Sequence, residues 1–411
     1  MSRSVITVVG SAVGAAILVV ILIGLVWICM SQCKRFSNKN SETGSSDPSA
    51  IAEWKGCGPS SSAAPPFSGP SRGGAARHFT MEELEQATKE FDDGNLIGYG
   101  SFGLVYKGFL RDGTIVAIKK RTGAPRQEFI QEVTYLSEIW HRNLVTLLGY
   151  RQECGSQMLV FEYLPNGSVC NHLYGKNQFD PLTTNTQYHV YVLVTNCLKD
   201  SKLDSKTKLE FKQRLSIALG AAKGLNHLHS LKPPLLHKNF KTANVLVDEN
   251  FIAKVADAGI LNLLEKIEDA GPSSTSINIF RDPEAGELGT FSEASDVYSF
   301  GVFLLELVTG QEALHIESLG SYDNFIEWVE MRLGSNDFAD PRLVGNFTME
   351  GMTDLIRLTL QCMSFPGKGR PKMEMVLVEL DRILEKEMTL TTVMGEGTTI
   401  VTLGSQLFTQ K

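Results

Sequence analysis

A two-lobed α+β fold is predicted from three features of the chain. Short β-patterned runs joined by glycine turns crowd the stretch after residue 94. From Leu209 the apolar residues Leu215, Ala218, Ala222, Leu225 and Leu228 repeat at helical spacing. Further apolar helical runs follow at Val297–Thr309, Met352–Cys362 and Met375–Glu387. Strands first and helices after describe a sheet-bearing lobe followed by a helical one. At 411 residues and 43% hydrophobic content, the chain has room for two lobes and appendages. A net charge of −7 with 21% charged residues argues against a nucleic-acid binder. The seven cysteines are dispersed without metal-ligand spacing, a pattern of reduced thiols rather than of a disulfide framework.

In chain order, the first element is Val5–Met30, which contains no charged residue. As a helix it would span about 39 Å, enough to cross a bilayer with some tilt. The competing reading is a cleaved signal peptide, whose apolar core runs to only about 7–15 residues. With Met1–Ser4 before it and Lys34, Arg35 and Lys39 after it, the span is expected to carry no ectodomain and to place the long C-terminal part in the cytosol. Residues 31–77 are rich in Ser, Gly, Pro, Asn and Ala and read as a disordered juxtamembrane linker. Order is expected from Phe79, where Thr80 and Glu83 match a capping box and Phe79 and Leu84 a hydrophobic staple. The short helix they start is expected to run on through Glu85–Phe91.

Leu96–Val105 and Val105–Phe109 read as a hairpin, and Asp112-Gly113 as a tight turn into a third strand, Thr114–Lys120. Glu128–Trp140 has helical periodicity. Residues 176–207 interrupt the pattern with an unexpected apolar run, Val190–Val194. A surface loop and translated intron sequence are both open readings of that segment. Residues 388–411 read as a disordered tail.

The chemistry starts at Ile97-Gly98-Tyr99-Gly100-Ser101-Phe102-Gly103-Leu104-Val105, which fits G-x-G-x-x-G-x-V. Its glycines let backbone N–H groups approach phosphate oxygens. Alone the pattern is weak, because glycine-rich turns are common. It gains weight from Val116-Ala117-Ile118-Lys119 on the next strand but one, and from Glu132 as the natural ion partner of Lys119. Further on stand His237-Lys238-Asn239-Phe240-Lys241-Thr242-Ala243-Asn244 and Asp257-Ala258-Gly259. Four more runs complete the pattern: Asn95–Gly98, His141–Val145, Phe161–Ser168 and Ser295–Val302.

On these motifs the chain resembles the plant receptor-like kinase family, related to the Pelle kinases, over Phe79–Glu387. The resemblance implies a bilobal protein-kinase-like fold preceded by a single transmembrane helix (5–30) and the linker (31–77). A pre-kinase helix (78–93) would lead into a domain over 94–387, with its N-lobe at 94–164 and its C-lobe at 165–387. By the same resemblance, Ile97, Gly98, Gly100 and Gly103 belong to the phosphate loop, and Val105, Ala117 and Leu246 sandwich the purine of ATP. Lys119, paired with Glu132, contacts the α/β-phosphates. Phe161 is the gatekeeper, Glu162–Leu164 the adenine-binding hinge, and Asp296 the anchor of the catalytic loop. Asn244 and Asp257 are the Mg²⁺ ligands, and Lys241 positions the transferred phosphate.

The departures from the family pattern cluster on the peptide side. Asn239 stands where the catalytic base is an Asp, and an amide has no useful basicity near neutral pH. Lys238 replaces the Arg that reads an activation-loop phosphate. Ala258 replaces a buried Phe, which should loosen the link between Asp257 and Glu132 unless neighbours refill the space. Ile277 stands where a Thr would bond the catalytic Asp. Glu284 and Arg370, which brace the lower lobe in the family, remain.

The expected function is therefore a membrane-anchored, ATP-binding pseudokinase acting as scaffold or allosteric regulator. Its partners would be active receptor-like kinases or other signalling proteins, with lipid around the transmembrane helix and the domain at the cytosolic face of the plasma membrane. The alternative is a weakly active Ser/Thr kinase; a third reading is an interaction module that has lost nucleotide binding. Ser273–Ser276 are candidate phosphate acceptors, or simply a polar loop.

Overall fold

The computed structural model describes residues 76–153, 155–174, 209–267, 279–288, 291–313 and 339–394. The apolar run Val5–Met30, the linker up to residue 75, the insertion 176–207, Ser273–Ile277 and residues 395–411 lie outside the described residues. Among the described residues, no helix is long and apolar enough to cross a membrane.

The first lobe is built on a six-stranded sheet: β1 (Arg77–His78), β2 (Leu96–Tyr99), β3 (Leu104–Phe109), β4 (Ile115–Thr122), β5 (Leu147–Glu153) and β6 (Ser156–Glu162), in the order β1-β5-β6-β4-β3-β2. All neighbours are antiparallel except β1 and β5. Strand β1 begins at Arg77, the last residue of the segment read as linker. Helix α1 (Met81–Thr88) is started by the expected capping box: the Glu83 N–H donates to the Thr80 hydroxyl (3.1 Å), and the Thr80 N–H to the Glu83 carboxylate (2.9 Å). It ends at Thr88 rather than at Phe91, because Lys89, Glu90 and Phe91 all adopt left-handed backbone (φ 54°, 60° and 57°). That turn carries the Phe91 ring onto Tyr106, at 5.3 Å between centroids.

The two-residue period of β4 sorts its side chains. Val116 and Ile118 join Phe79, Leu84, Ala87, Met158 and Val160 in an apolar cluster under α1. Ala117 faces the other way, toward the large core shared with helix α2 (Gln127–Glu138), and the pleat sends Lys119 to the same side.

The second lobe is mainly helical. Helix α3 (Val169–Tyr174) and helix α4 (Phe211–His229) precede a small hairpin of β7 (Val245–Val247) and β8 (Ala253–Val255). Helices α5 (Ile260–Ile267), α6 (Pro283–Leu288), α7 (Glu293–Thr309), α8 (Met349–Met363) and α9 (Met373–Met394) follow. Helix α7 is buried from Ser295 to Thr309, with α8 packed against it; α9 packs against α4. A helix apolar all round belongs at the centre of a lobe. Leu215, Ala218, Ala222, Leu225 and Leu228 of α4 are fully buried, as their spacing required. The one buried cation of α4, Arg214, is completely satisfied: it donates to the carbonyls of Leu209 (3.0 Å) and Leu307 (2.8 Å) and to the Asp340 carboxylate (2.6 Å).

Candidate active site

The cleft between sheet and helices collects most of the chemistry-bearing residues. The β2–β3 turn closes on paired backbone bonds, Gly100 N–H to Gly103 C=O (2.8 Å) and Gly103 N–H to Gly100 C=O (3.1 Å). Gly103 sits at φ 143°, where a Cβ would lie 2.3 Å from the Lys120 carbonyl oxygen, so only glycine allows the turn. Behind it, Phe102 is buried and stacks on Phe129 of α2 (6.4 Å), drawing the loop down into the cleft. In register, Val105 pairs with Lys119 and Ala117 with Phe161. The ring of Phe161 lies 5.3 Å from the Lys119 ammonium. Leu246 makes an isolated bridge to Ser168 at the floor. The carboxylate of Glu162 accepts the Thr146 N–H (2.7 Å) and is neutralised by Lys254 (2.8 Å), while Leu164 is buried.

The catalytic loop hangs from Asp296, as expected. Its carboxylate accepts the N–H groups of His237 (2.8 Å) and Lys238 (2.9 Å) and contacts His229 Nε2 (2.9 Å). His237 donates from Nε2 to the Ala256 carbonyl (2.9 Å), and its Nδ1 accepts the Asn239 N–H (3.3 Å). Burial depresses its basicity, which keeps this one neutral tautomer in place. Lys238 is held at φ 62°.

The ion pairs differ from those expected. Lys119 is paired with Asp257, not with Glu132. Glu132 is buried and bonded to Lys266 of α5, and the preceding residue of that helix, Glu265, takes Lys238 at 2.6 Å. The physical cause lies at Ala258-Gly259. With no Phe ring there, Leu136 of α2 sits so close over Gly259 (φ 76°) that a Cβ would fall 2.3 Å from Leu136 Cδ2. Helix α5 is packed against α2. Sequence reasoning named neither Glu265 nor Lys266. Their signal was two adjacent opposite charges on the polar face of a strongly amphipathic helix.

The base position is also engaged. The Asn239 amide donates from Nδ2 to the Ser101 hydroxyl at the tip of the glycine loop (2.9 Å). Neither residue's sequence context announced that contact, which spans 138 positions. Burial lowers the pKa values of both Lys119 and Lys241, and the proximity of Lys241 depresses Lys119 further. Asn244 is buried; its Nδ2 donates to the Asn239 carbonyl (2.9 Å), leaving its oxygen open. Asn244 and Asp257 are hard oxygen donors of the kind Mg²⁺ takes beside phosphates, so the residue types fit that ion. The Asp257 carboxylate, however, is already engaged by an ammonium. Lower in the domain, Arg370 is bidentate to Asp282 (2.8 and 3.1 Å), with Glu284 only at 3.9 Å. Glu284 instead accepts the Gly367 N–H. The brace therefore runs through Asp282, two residues before the glutamate that the motif singled out.

A strand-rich lobe carrying a glycine loop and a lysine, over a helical lobe that suspends a loop from a buried aspartate, defines a protein-kinase fold. Residues 92–380 match the family model described as protein tyrosine and serine/threonine kinase. The chain belongs to this family, and its homologues include plant receptor-like protein kinases. It is 36% identical over 325 residues to the proline-rich receptor-like protein kinase PERK4 of Arabidopsis thaliana, covering 76% of this chain and 46% of that one. It is 34% identical over 331 residues to the probable serine/threonine-protein kinase PBL22 of the same plant, covering 76% and 78%. Of the receptor-like relatives it matches, the chain spans between 30% and 46% of the length. Among solved structures it is similar to the pseudokinase domain of BIR2, an immune regulator of the RLK/Pelle family, with a TM-score of 0.58 and 26% identity. That match covers 78% of this chain and 91% of the other.

Proposed function

We propose that this chain is a nucleotide-binding pseudokinase of the receptor-like kinase family, tethered to a membrane through Val5–Met30. It works as a scaffold or allosteric partner of active receptor-like kinases at the cytosolic face of the plasma membrane. One observation carries the reading: the group at the base position is an amide, and its N–H is committed to Ser101 of the glycine loop. An amide donating there cannot accept a substrate hydroxyl's proton. The likeness to the BIR2 pseudokinase domain supports the same reading. In this reading Ile97, Gly98, Gly100, Gly103, Val105, Ala117, Lys119, Phe161, Glu162, Leu164 and Leu246 would face the nucleotide. A Mg²⁺ ion would be held by Asp257 and Asn244 and would neutralise phosphate charge there.

A weakly active Ser/Thr kinase is the second reading. It is favoured by the joint presence of Lys119, Lys241, Asn244 and Asp257, because positioning and charge supply most of the acceleration in phosphoryl transfer. Labelled ATP with the full chain in detergent separates the two. The pseudokinase reading expects ATP to raise the melting temperature while no label transfers to the chain or to a generic protein substrate. Transfer that disappears in Asp257→Ala would establish the second reading instead. A folded chain that ATP does not stabilise would reduce the function to a scaffold without nucleotide.

A further inference from the structure

The loop that joins α2 to β5 is stitched to the second lobe. Asn143 carries most of the seam: its Nδ2 donates to the Ala253 carbonyl (2.8 Å), and its own carbonyl accepts the Val255 N–H (2.8 Å). The fit is close, since a Cβ on Gly224 of α4 would lie 2.5 Å from the Asn143 carbonyl oxygen. The Asn143 N–H in turn donates to Nδ1 of His141 (3.1 Å), so that ring carries its hydrogen on Nε2 and is neutral. The same ring stacks on His227 of α4, with centroids 4.7 Å apart and planes 16° from parallel. Both residues are half-buried. Burial depresses the basicity of His141, and His227 and Lys223, one turn earlier on α4, depress it further. No neighbouring acid offsets this. His229 of α4 is turned to Asp296 and Lys254 of β8 to Glu162, while Glu138, Arg142 and Lys223 are exposed. Among the described residues, no carboxylate is hydrogen-bonded or ion-paired to either ring.

We propose that the stacked pair His141–His227 is a proton-operated clamp on the α2–β5 loop. Neutral, it holds the loop against α4; a proton taken from solvent onto Nδ1 of His141 releases it. The added N–H points at the Asn143 N–H, so an acceptor becomes a donor and the hydrogen bond is lost. The new charge also faces His227 and Lys223, which opposes it further. The direction follows from linkage. Folded His141 binds its proton more weakly than an unfolded histidine does. The clamp therefore contributes fully above about pH 6.5 and weakens as pH falls below that value. Because the loop continues α2 into β5, its release frees the C-terminal end of α2 from the second lobe. That helix also carries Glu132 and Leu136, so acidification reaches the contacts that α2 makes with α5. The device does not depend on whether the chain binds nucleotide.

The test is hydrogen exchange read by mass spectrometry on the full chain in detergent, from pH 7.5 to pH 5.5. Amide rates corrected for intrinsic exchange follow the loop, and exchange at the imidazole C2 position follows the titration of His141. The amides of residues 139–145 should lose protection by roughly fivefold across this range, the effect of one hydrogen bond, while those of β3 and β4 do not change. His227→Phe keeps a ring in the stack but cannot take a charge. In that variant His141 should titrate at a higher pH, and the loop should open at that same higher pH. His141→Phe should leave the loop poorly protected at every pH; if that variant fails to fold, His227→Phe carries the test alone. Equal loop protection at pH 7.5 and pH 5.5 in the native chain would overturn the inference. So would a loss of protection that stays at the same pH in His227→Phe while the titration of His141 moves.

Discussion

At the scale of single residues, the cleft is organised by one missing acid. Asn239 keeps the shape of an aspartate but exchanges an acceptor for a donor, and Ser101 is where that donor goes. Ser101→Ala leaves the amide without its protein partner, so the amides of residues 98–103 should exchange roughly fivefold faster, the effect of one hydrogen bond. Hydrogen exchange read by mass spectrometry checks this; unchanged protection would mean that Phe102 alone holds the loop. Asn239→Asp restores the acid. It should raise phosphotransfer by less than the roughly 10²–10⁴-fold that general-base catalysis supplies, because Glu132 remains paired with Lys266 rather than with Lys119. A gain reaching that full range, measured with labelled ATP, would show that base loss is the sole defect.

At the scale of elements, α5 and α2 lock together where a large aromatic side chain is absent. Gly259 is the contact point, at φ 76° under Leu136. Gly259→Ala must bear a left-handed backbone penalty and a steric overlap, about 2–4 kcal/mol in all. Adding Leu136→Ala should relieve only the steric part, which urea unfolding of the single and double variants would resolve. Helix α7 carries a second coupling. Its Glu306 is buried, takes the hydroxyls of Tyr174 and Thr242, and accepts the Ala313 N–H at 2.8 Å. Burial raises its pKa from 4.5 to about 7. The folded chain then holds this proton more tightly than the unfolded chain. The stability it confers is full below about 4.5 and is lost as pH rises to about 7. Glu306→Gln cannot ionise, so its stability relative to the native chain should improve between pH 5 and pH 8. Urea midpoints at the two values give the answer, and a pH-independent difference would contradict it.

At the scale of the whole molecule, buried ion pairs tie together segments far apart in sequence. Arg214 and Asp340 are separated by 126 positions, and each side chain is at most 3% exposed. Removing the cation leaves Asp340, among the described residues, only Arg342 as a charged partner. Arg214→Met should therefore cost about 3–5 kcal/mol, lowering the urea midpoint without changing its slope. A loss below about 1 kcal/mol would show that Arg342 compensates by itself.

Much of this was legible from local sequence. The capping box at Thr80 and Glu83, the buried face of α4 and the strand–turn–strand glycine loop all depend on neighbours within a few positions or on a strict period. Such signals survive in one dimension because the geometry of a helix or hairpin fixes which residues meet. The early end of α1 at Thr88 was not legible, since three consecutive left-handed residues without glycine are imposed by packing of Phe91. Nor was the choice of ion partners. Lys119 had two carboxylates to choose from and Glu132 two lysines, and charge alone could not rank them. What decided was the placement of α5 against α2, which follows from the volume left free at Ala258 and Gly259. The sequence by itself determined the family, the fold and the amide that stands at position 239. Only the tertiary structure decided which lysine each carboxylate holds, because that depends on distances between segments that no local pattern encodes.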